Sequence, residues 1–126
     1  MNALVRRVRR LNLPMLRAAW WTWRSLRVTR RRLRESVLPE VVVDSPPRLP
    51  AHASAGVFAV LRRQPNTCLE RALVLQKWLE AQGQDRDVVI GVTAAGKGFH
   101  AHAWLDGEPA PSSFRELTRL RGDASR

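Results

Sequence analysis

The sequence predicts one small α+β domain, and three observations support that prediction. The chain has 126 residues, which is room for a single domain of ordinary size. Apolar residues recur at three- and four-residue spacing in several segments of residues 2–82, as amphipathic helices require. From residue 88 to residue 105 the spacing shortens to two, which is the period of a β-strand.

Positive charge is concentrated at one end of the chain. The formal net charge is +11. Residues 1–36 contain eleven arginines and a single acidic residue, Glu35, whereas residues 37–126 are nearly neutral. Such an excess predicts an anionic partner, with nucleic acid, a membrane surface and an acidic protein as the candidates.

Residues 2–36 are predicted to be helical, with Asn12 as a cap and Pro14 in the first turn of a second helix. One apolar stripe is expected along it, formed by Leu16, Ala19, Trp20, Trp23, Leu26, Leu33 and Val37. The opposite side is expected to carry Arg17, Arg24, Arg27, Arg31 and Arg34. Three roles suit this basic amphipathic helix: docking on a protein, lying on a membrane surface, or tracking phosphates. Docking is favoured because the tryptophans align with the stripe and no groove-reading motif is recognised.

The cysteine content and the hydropathy exclude several classes of protein. Cys68 is the single cysteine, so an intramolecular disulfide cannot form and a reducing compartment is expected. The longest uncharged run near the N-terminus, residues 18–23, is too short for a signal peptide, and no run reaches the length of a membrane span. We expect a cytoplasmic bacterial protein, whose membrane contact would be peripheral.

Two further helices are predicted after a proline-rich connector at residues 39–50. The first spans residues 51–63, and its core candidates are Val57, Phe58, Val60 and Leu61. The second begins at Thr67, which with Glu70 fits the capping box, a pattern in which each side chain accepts a hydrogen bond from a free N–H of the first turn. Its wide apolar arc requires burial, and Gly83 marks its end.

Alternation predicts two strands, at residues 88–93 and 99–105, joined by a glycine-containing turn. On the second strand, one face carries Phe99, Ala101, Ala103 and Leu105, and the other carries His100, His102, Trp104 and Asp106. The Asp106-Gly107 pair predicts a hairpin turn, after which residues 110–114 are expected to return as a short strand.

Cys68 and the histidines of the second strand are the candidates for nucleophilic chemistry. Cys68 is the first residue of the capped helix, where unpaired N–H groups and the helix dipole favour the thiolate. A helix N-terminus packed on an antiparallel sheet can bring a thiol to an imidazole that takes its proton. The alternative is a non-catalytic binding module in which Cys68 is inert. A zinc site is disfavoured, because one cysteine and a His-x-His pair provide three ligands and no second cluster follows.

Three blocks of sequence resemble a known family. Residues 67–73 (TCLERAL), 90–92 (IGV) and 101–105 (AHAWL) are similar, in this order and at these separations, to the leader peptidases of lasso-peptide biosynthesis. These enzymes are small transglutaminase-like cysteine proteases, the protease half of the split B protein. The similarity covers about residues 51–120, and the arginine- and tryptophan-rich N-terminal stretch also resembles that of the family.

The resemblance implies a fold, an activity and partners. The fold is a papain/transglutaminase-like core at residues 51–121, preceded by a basic helical region at 1–38 and the connector, and followed by a flexible tail at 122–126. The activity is removal of the leader from a ribosomally made precursor peptide, with Cys68 as nucleophile, His102 as general base, and neither cofactor nor metal. In this family a separate recognition protein binds the leader, and a cyclase closes the core peptide.

The third catalytic residue is where the sequence departs from the family, which has an aspartate on the strand after the His-Ala-Trp block. A hairpin with Asp106-Gly107 or Gly107-Glu108 at its tip would place Ser112 or Ser113, and no carboxylate, opposite His102. Asp106 itself lies four residues from His102, or about 13 Å at about 3.3 Å per residue. Two alternatives follow: an Asp106 carboxylate that turns toward the imidazole, or a Cys-His dyad oriented by a serine or a backbone carbonyl.

Overall fold

A computed structural model describes residues 13–38, 41–93, 100–108 and 114–121. In chain order its elements are helix α1 (Leu13–Glu35), a 3-10 turn (Ala51–Ala53), helix α2 (Ser54–Arg63), helix α3 (Cys68–Ala81) and strands β1 (Val88–Thr93), β2 (His100–Leu105) and β3 (Arg115–Leu120). The predicted α+β class is confirmed. The predicted helical residues 2–12 and the tail 122–126 lie outside the described residues.

β1 is the central strand of the sheet, whose order is β2-β1-β3 and whose pairings are antiparallel. Val88 pairs with Leu105 on β2, and Gly91 pairs with His102. Alternate residues of a strand share a face. Ala103 and Leu105 therefore lie on the face that joins the hydrophobic core, together with Val88.

Residues 110–113 of the predicted return strand lie outside the described residues, and the next described strand forms no hairpin with β2. β3 begins at Arg115 and pairs with β1 instead of β2. This order covers both edges of the apolar β1 and leaves β3, most of whose residues are exposed, at an edge. The turn after β2 does form, since Gly107 has φ +97°, which glycine adopts without strain. Residues 109–113, with Ser112 and Ser113, lie outside the described residues.

α3 confirms the second predicted helix. The N–H of Glu70 donates to Oγ1 of Thr67 at 3.1 Å, and the N–H of Thr67 donates to the Glu70 carboxylate at 3.0 Å, so the capping box is complete. The helix ends just before Gly83, at φ +83°. Its buried apolar side chains join the core: Ala72, Leu73, Val74, Leu75 and Trp78.

α1 is a helix as predicted, but it buries a different face. Of the predicted apolar stripe, Leu26 is buried, whereas Leu16 is 51% exposed and Trp20 is 62% exposed, so the stripe as a whole does not face the core. The buried residues are Ala18, Trp21, Thr22, Ser25, Leu26 and Thr29. Because small and hydroxyl side chains are short, α2 can approach α1 closely. Thr22 donates its hydroxyl to the carbonyl of Ala18 at 2.8 Å, so the buried hydroxyl has a hydrogen-bond partner.

None of the described helices is long and apolar enough to cross a membrane.

α2 lies where the sequence predicted a helix, after the 3-10 turn. Val57 and Leu61 are buried as expected, but Phe58 is 37% exposed and Val60 is half-buried, so Phe58 is wrong as a core candidate. The first residue of α2, Ser54, accepts a hydrogen bond at 2.9 Å from the indole N–H of the fully buried Trp78. The start of α2 is thereby fixed to the C-terminal half of α3.

Candidate active site

Cys68 is the first residue of α3, and its thiol is free and half-buried. The side chain packs against the hydrophobic core. The loop before it is held by Asn66, whose side-chain amide donates to the carbonyls of Leu61 at 2.9 Å and Gln64 at 2.7 Å. The backbone on both sides of the thiol is therefore fixed, by this loop and by the capping box.

A buried carboxylate lies at the same end of α3. The side chain of Glu70 is 6% exposed and receives two hydrogen bonds from the guanidinium of Arg30 on α1, at 3.1 and 3.2 Å. Burial opposes ionisation of Glu70, but the hydrogen bonds from Arg30 and from the Thr67 N–H outweigh it and hold its pKa below the ordinary value. The same contacts raise the pKa of Arg30. The first turn of α3, which begins at Cys68, thus carries an ion pair between Glu70 and Arg30.

His102 lies in the middle of β2, half-buried between two aromatic rings. Its ring centroid is 5.8 Å from that of Trp104 and 5.5 Å from that of Phe114. These contacts place the imidazole on the face of the sheet opposite Ala103, as the predicted alternation requires. His100 is also in β2, but its side chain lies outside the described residues.

The structure ties the two elements that carry Cys68 and His102 together, but not the two side chains. Arg71, in the first turn of α3, pairs at 3.4 Å with Glu108 in the turn after β2. Glu108 also accepts the N–H of Leu105 at 3.0 Å. Over the described ranges, 13–38, 41–93, 100–108 and 114–121, no hydrogen bond joins the thiol to the imidazole. The predicted dyad therefore stays a prediction.

The Glu108 carboxylate has an environment similar to that of Glu70. Burial opposes its ionisation, and the Leu105 N–H, the Arg71 side chain and the charge of Arg86 outweigh that effect and lower its pKa. The link between α3 and the end of β2 is consequently ionic at neutral pH.

Asp106 is exposed and is engaged elsewhere. Its carboxylate accepts a hydrogen bond from Arg119 on β3 at 3.0 Å. Arg119 also binds Glu116 at 2.8 Å, and the contacts with Glu116 and Asp106 raise its pKa. The backbone N–H of Asp106 donates to the carbonyl of Asp87 at 2.8 Å, which continues the β1–β2 ladder. The role of Asp106 as third catalytic residue stays a prediction.

Metal ligands are absent from the part of the chain that the structure describes: no three histidine, cysteine, aspartate or glutamate side chains there are grouped closely enough to hold an ion.

A concave surface, the α1 groove, lies between α1 and residues 43–47, with a volume of about 510 Å³. Its cationic lining residues are Arg17, Arg24 and Arg32. Trp20 forms one wall and stacks on Trp23, with ring centroids 5.3 Å apart. The guanidinium of Arg27 lies 5.0 Å from the centre of the Trp23 ring. The exposed face of α1 is therefore both aromatic and cationic.

Sequence reasoning missed two residues of the candidate site. Arg30 is one of eleven arginines in residues 1–36, and nothing local distinguishes it from the exposed ones. Phe114 was assigned to a return strand, whereas its ring contacts His102. Both contacts depend on tertiary packing, so pattern reasoning offered no signal for them.

The family of this chain follows from a comparison with known proteins. The model of the transglutaminase-like superfamily matches residues 8–120. The chain therefore belongs to this superfamily, which includes cysteine peptidases. Neither the curated proteins nor the solved structures contain a match to this chain.

Proposed function

We propose that this chain is a cysteine peptidase that removes the leader from a lasso-peptide precursor in the bacterial cytoplasm. The observation that carries the proposal is the position of its single cysteine: Cys68 begins a buried, capped helix in a chain of the transglutaminase-like superfamily. Nucleophilic cysteines favour such positions, because the N–H groups of the first turn stabilise a thiolate. The TCLERAL and AHAWL blocks support the narrower assignment.

The proposed reaction uses two side chains. The imidazole of His102 takes the thiol proton of Cys68, and the thiolate attacks the carbonyl carbon of the scissile peptide bond. The C–N bond breaks, the leaving amine takes the proton from the imidazolium, and a thioester remains. Water, deprotonated by the imidazole, then releases the leader as a carboxylic acid and restores the thiol. The N–H of Cys68 is the proposed donor to the oxyanion.

The test is cleavage of a lasso-peptide precursor, followed by mass spectrometry, with a leader-recognition protein added. Cys68→Ala and His102→Ala should each lower the rate about a thousandfold or more and leave binding of the recognition protein unchanged. The control is His52→Ala, which removes an exposed histidine from the 3-10 turn. If Cys68→Ala or His102→Ala cleaves as fast as His52→Ala, the peptidase proposal is wrong and a non-catalytic binding module is favoured.

The residue that orients the imidazole requires its own variant. Asp106→Asn keeps the size of the side chain and removes its charge. If Asp106 leaves Arg119 to orient His102, this change should lower the rate by about two orders of magnitude or more. A rate close to that of the unaltered chain would indicate a Cys68–His102 dyad.

We propose that the leader-recognition protein docks in the α1 groove through an acidic, aromatic-containing segment. The exposed indole of Trp20 and the neighbouring arginines support this assignment, because aromatic and arginine side chains are the commonest anchors of protein interfaces. Another face of α1 packs in the core, so the groove, whose lining includes Leu16 and Trp20 of the predicted stripe, is available to a partner. The precursor and the cyclase are further proposed partners, without an assigned surface.

Substitutions are better than truncation for testing the groove, because removal of α1 would expose the core. Trp20→Ala and Arg24→Gln should each weaken binding of the recognition protein about tenfold or more in calorimetry. The controls are Phe58→Ala and Arg62→Gln, which change an exposed aromatic and an arginine on α2. Equal affinity in all four variants would refute the docking surface. Loss of binding only to phosphatidylglycerol vesicles, or only to duplex DNA, would assign α1 to a membrane or to nucleic acid.

A further inference from the structure

The guanidinium of Arg30 connects three parts of the chain at the start of α3. Its Nε donates to Oε2 of Glu70 at 3.2 Å, and its Nη2 donates to Oε1 at 3.1 Å. Nη2 also donates to the carbonyl of Pro65 at 2.8 Å. Through Arg30, α1 is thus hydrogen-bonded both to the loop that precedes Cys68 and to the first turn of α3.

The carboxylate held by Arg30 is also part of the capping box. Oε1 of Glu70 accepts the N–H of Thr67 at 3.0 Å, and Thr67 is the residue immediately before Cys68. Oε1 of Glu70 thus contacts the backbone one residue before Cys68, and bond lengths alone keep it within about 10 Å of the thiol. An unpaired carboxylate at that distance would oppose formation of a thiolate.

We propose that Arg30 is a positioning residue for Cys68, which sets the reactivity of the thiol by neutralising Glu70 and by fixing the capped turn. The catalytic part of this proposal rests on the proposed peptidase function. The effect on thiol reactivity does not, because it follows from the charges around Cys68 whether or not the thiol reacts with a peptide.

The charges predict effects of opposite sign in two variants. Arg30→Gln removes the cation and leaves the Glu70 carboxylate, so the thiolate should form at higher pH. Glu70→Gln removes the anion, leaves Arg30, and keeps an oxygen for the capping box, in which glutamine is accepted; the thiolate should form at lower pH. The other charged or titratable groups on the packed elements are the Arg71–Glu108 pair, Arg62 and Arg63 on α2, and His102 on β2, and none of them changes.

The experiment measures the rate of alkylation of Cys68 by iodoacetamide as a function of pH in the full chain. The pH of half-maximal rate should rise by about half a unit to one unit in Arg30→Gln and fall by a similar amount in Glu70→Gln. The double variant should return close to the unaltered chain. Arg31→Gln is the matched control, because it removes the same charge from the next, exposed residue, and it should shift the midpoint by less than about 0.2 units.

A purely structural role for Arg30 predicts a different result. Loss of a structural contact would destabilise both single variants without moving the two midpoints in opposite directions. Shifts of the same sign, or midpoints that match that of Arg31→Gln, would overturn the proposal. If Arg30→Gln fails to fold, as circular dichroism would detect, the downward shift in Glu70→Gln still decides the question.

The failure of this proposal can be separated from the failure of the peptidase assignment. Opposed alkylation shifts in a chain that does not cleave the precursor would retain Arg30 as the residue that tunes the thiol and reject the peptidase function. Cleavage that depends on Cys68 but is unchanged in Arg30→Gln across the pH range would do the reverse.

Discussion

The indole of Trp104 occupies the space that a side chain on Gly91 would need. A Cβ built on Gly91 would lie 2.7 Å from Cη2 of Trp104 and 3.1 Å from the carbonyl oxygen of Arg115. Gly91 pairs with His102 across the β1–β2 ladder. A glycine within a strand often marks a close approach of this kind, and here it admits one of the two rings that contact the candidate base.

Gly91→Ala should therefore destabilise the protein and displace Trp104. We expect a loss of about 1–3 kcal/mol in the free energy of unfolding, the range for overpacking a filled site. Urea denaturation measures the loss, and near-ultraviolet circular dichroism reports the indole. Thr118→Ala on the exposed edge strand is the control, with an expected change of less than about 0.5 kcal/mol. An unchanged midpoint in Gly91→Ala would contradict the packing described above.

The crossing of α1 and α2 predicts a larger effect at Gly56. A Cβ on Gly56 would overlap the carbonyl oxygen of Met15 and lie 3.2 Å from the backbone nitrogen of Ala19. Both groups belong to helix backbone, which cannot move aside as a flexible side chain can. Gly56→Ala should cost about 3 kcal/mol, the upper end for an inserted methyl group, in thermal or urea unfolding.

The neighbouring position provides a matched control for that crossing. Ala55 is exposed on the same helix, so Ala55→Ser should cost only about 0.5 kcal/mol, the difference in helix propensity. Similar losses in the two variants would mean that α1 and α2 do not approach as closely as the structure has them.

Local sequence signals predicted the helices and strands, whereas tertiary packing decided which face of α1 is buried and in which order the strands pair. α3 could be predicted because its two signals, the Thr67–Glu70 capping box and the wide apolar arc, both lie within the segment that forms the helix. Alternation likewise predicted the faces of β2, including that of His102. No local signal specifies that β3 pairs with β1, because that pairing joins distant segments.

The buried face of α1 shows why hydrophobicity alone misplaces a helix. The sequence pattern placed Trp20 on the apolar stripe and gave no role to Thr22 or Thr29. In the structure both threonines are buried and Trp20 is exposed, since a short hydroxyl side chain can donate to its own helix and leave room for a close neighbour. For the same reason the basic and aromatic groove could not be located from the sequence.

A buried hydrogen bond between α2 and α3 predicts the effect of Ser54→Ala. The indole N–H of the fully buried Trp78 donates to Oγ of Ser54 at 2.9 Å. Removal of the acceptor leaves that donor without its partner, which should cost about 1–3 kcal/mol. A double-mutant cycle with Trp78→Phe, which lacks the donor, should give a coupling energy of at least about 0.5 kcal/mol. Additive losses would show that the hydrogen bond contributes nothing.

The lowered pKa values of Glu70 and Glu108 predict that the chain loses stability in acid. Each carboxyl has a lower pKa in the folded chain than its ordinary value, so the unfolded chain binds the proton first as the pH falls. The stabilisation is complete above the unfolded value of about 4.3 and is lost as the pH falls through the folded pKa values. The free energy of unfolding should therefore decrease between about pH 5 and pH 3.

Glu70→Gln separates this ionic contribution from the rest of the acid response. At pH 7 the variant should be less stable by about 1.5–3 kcal/mol, because a neutral amide replaces the carboxylate that Arg30 holds. The difference between the two chains should narrow as the pH falls, since protonation removes the same charge from the unaltered chain. Urea denaturation at pH 7, 5, 4 and 3 measures it. A difference that stays constant over this range would mean that Glu70 is not the titrating group, and the remaining acid sensitivity would then be assigned to Glu108 by the same series on Glu108→Gln.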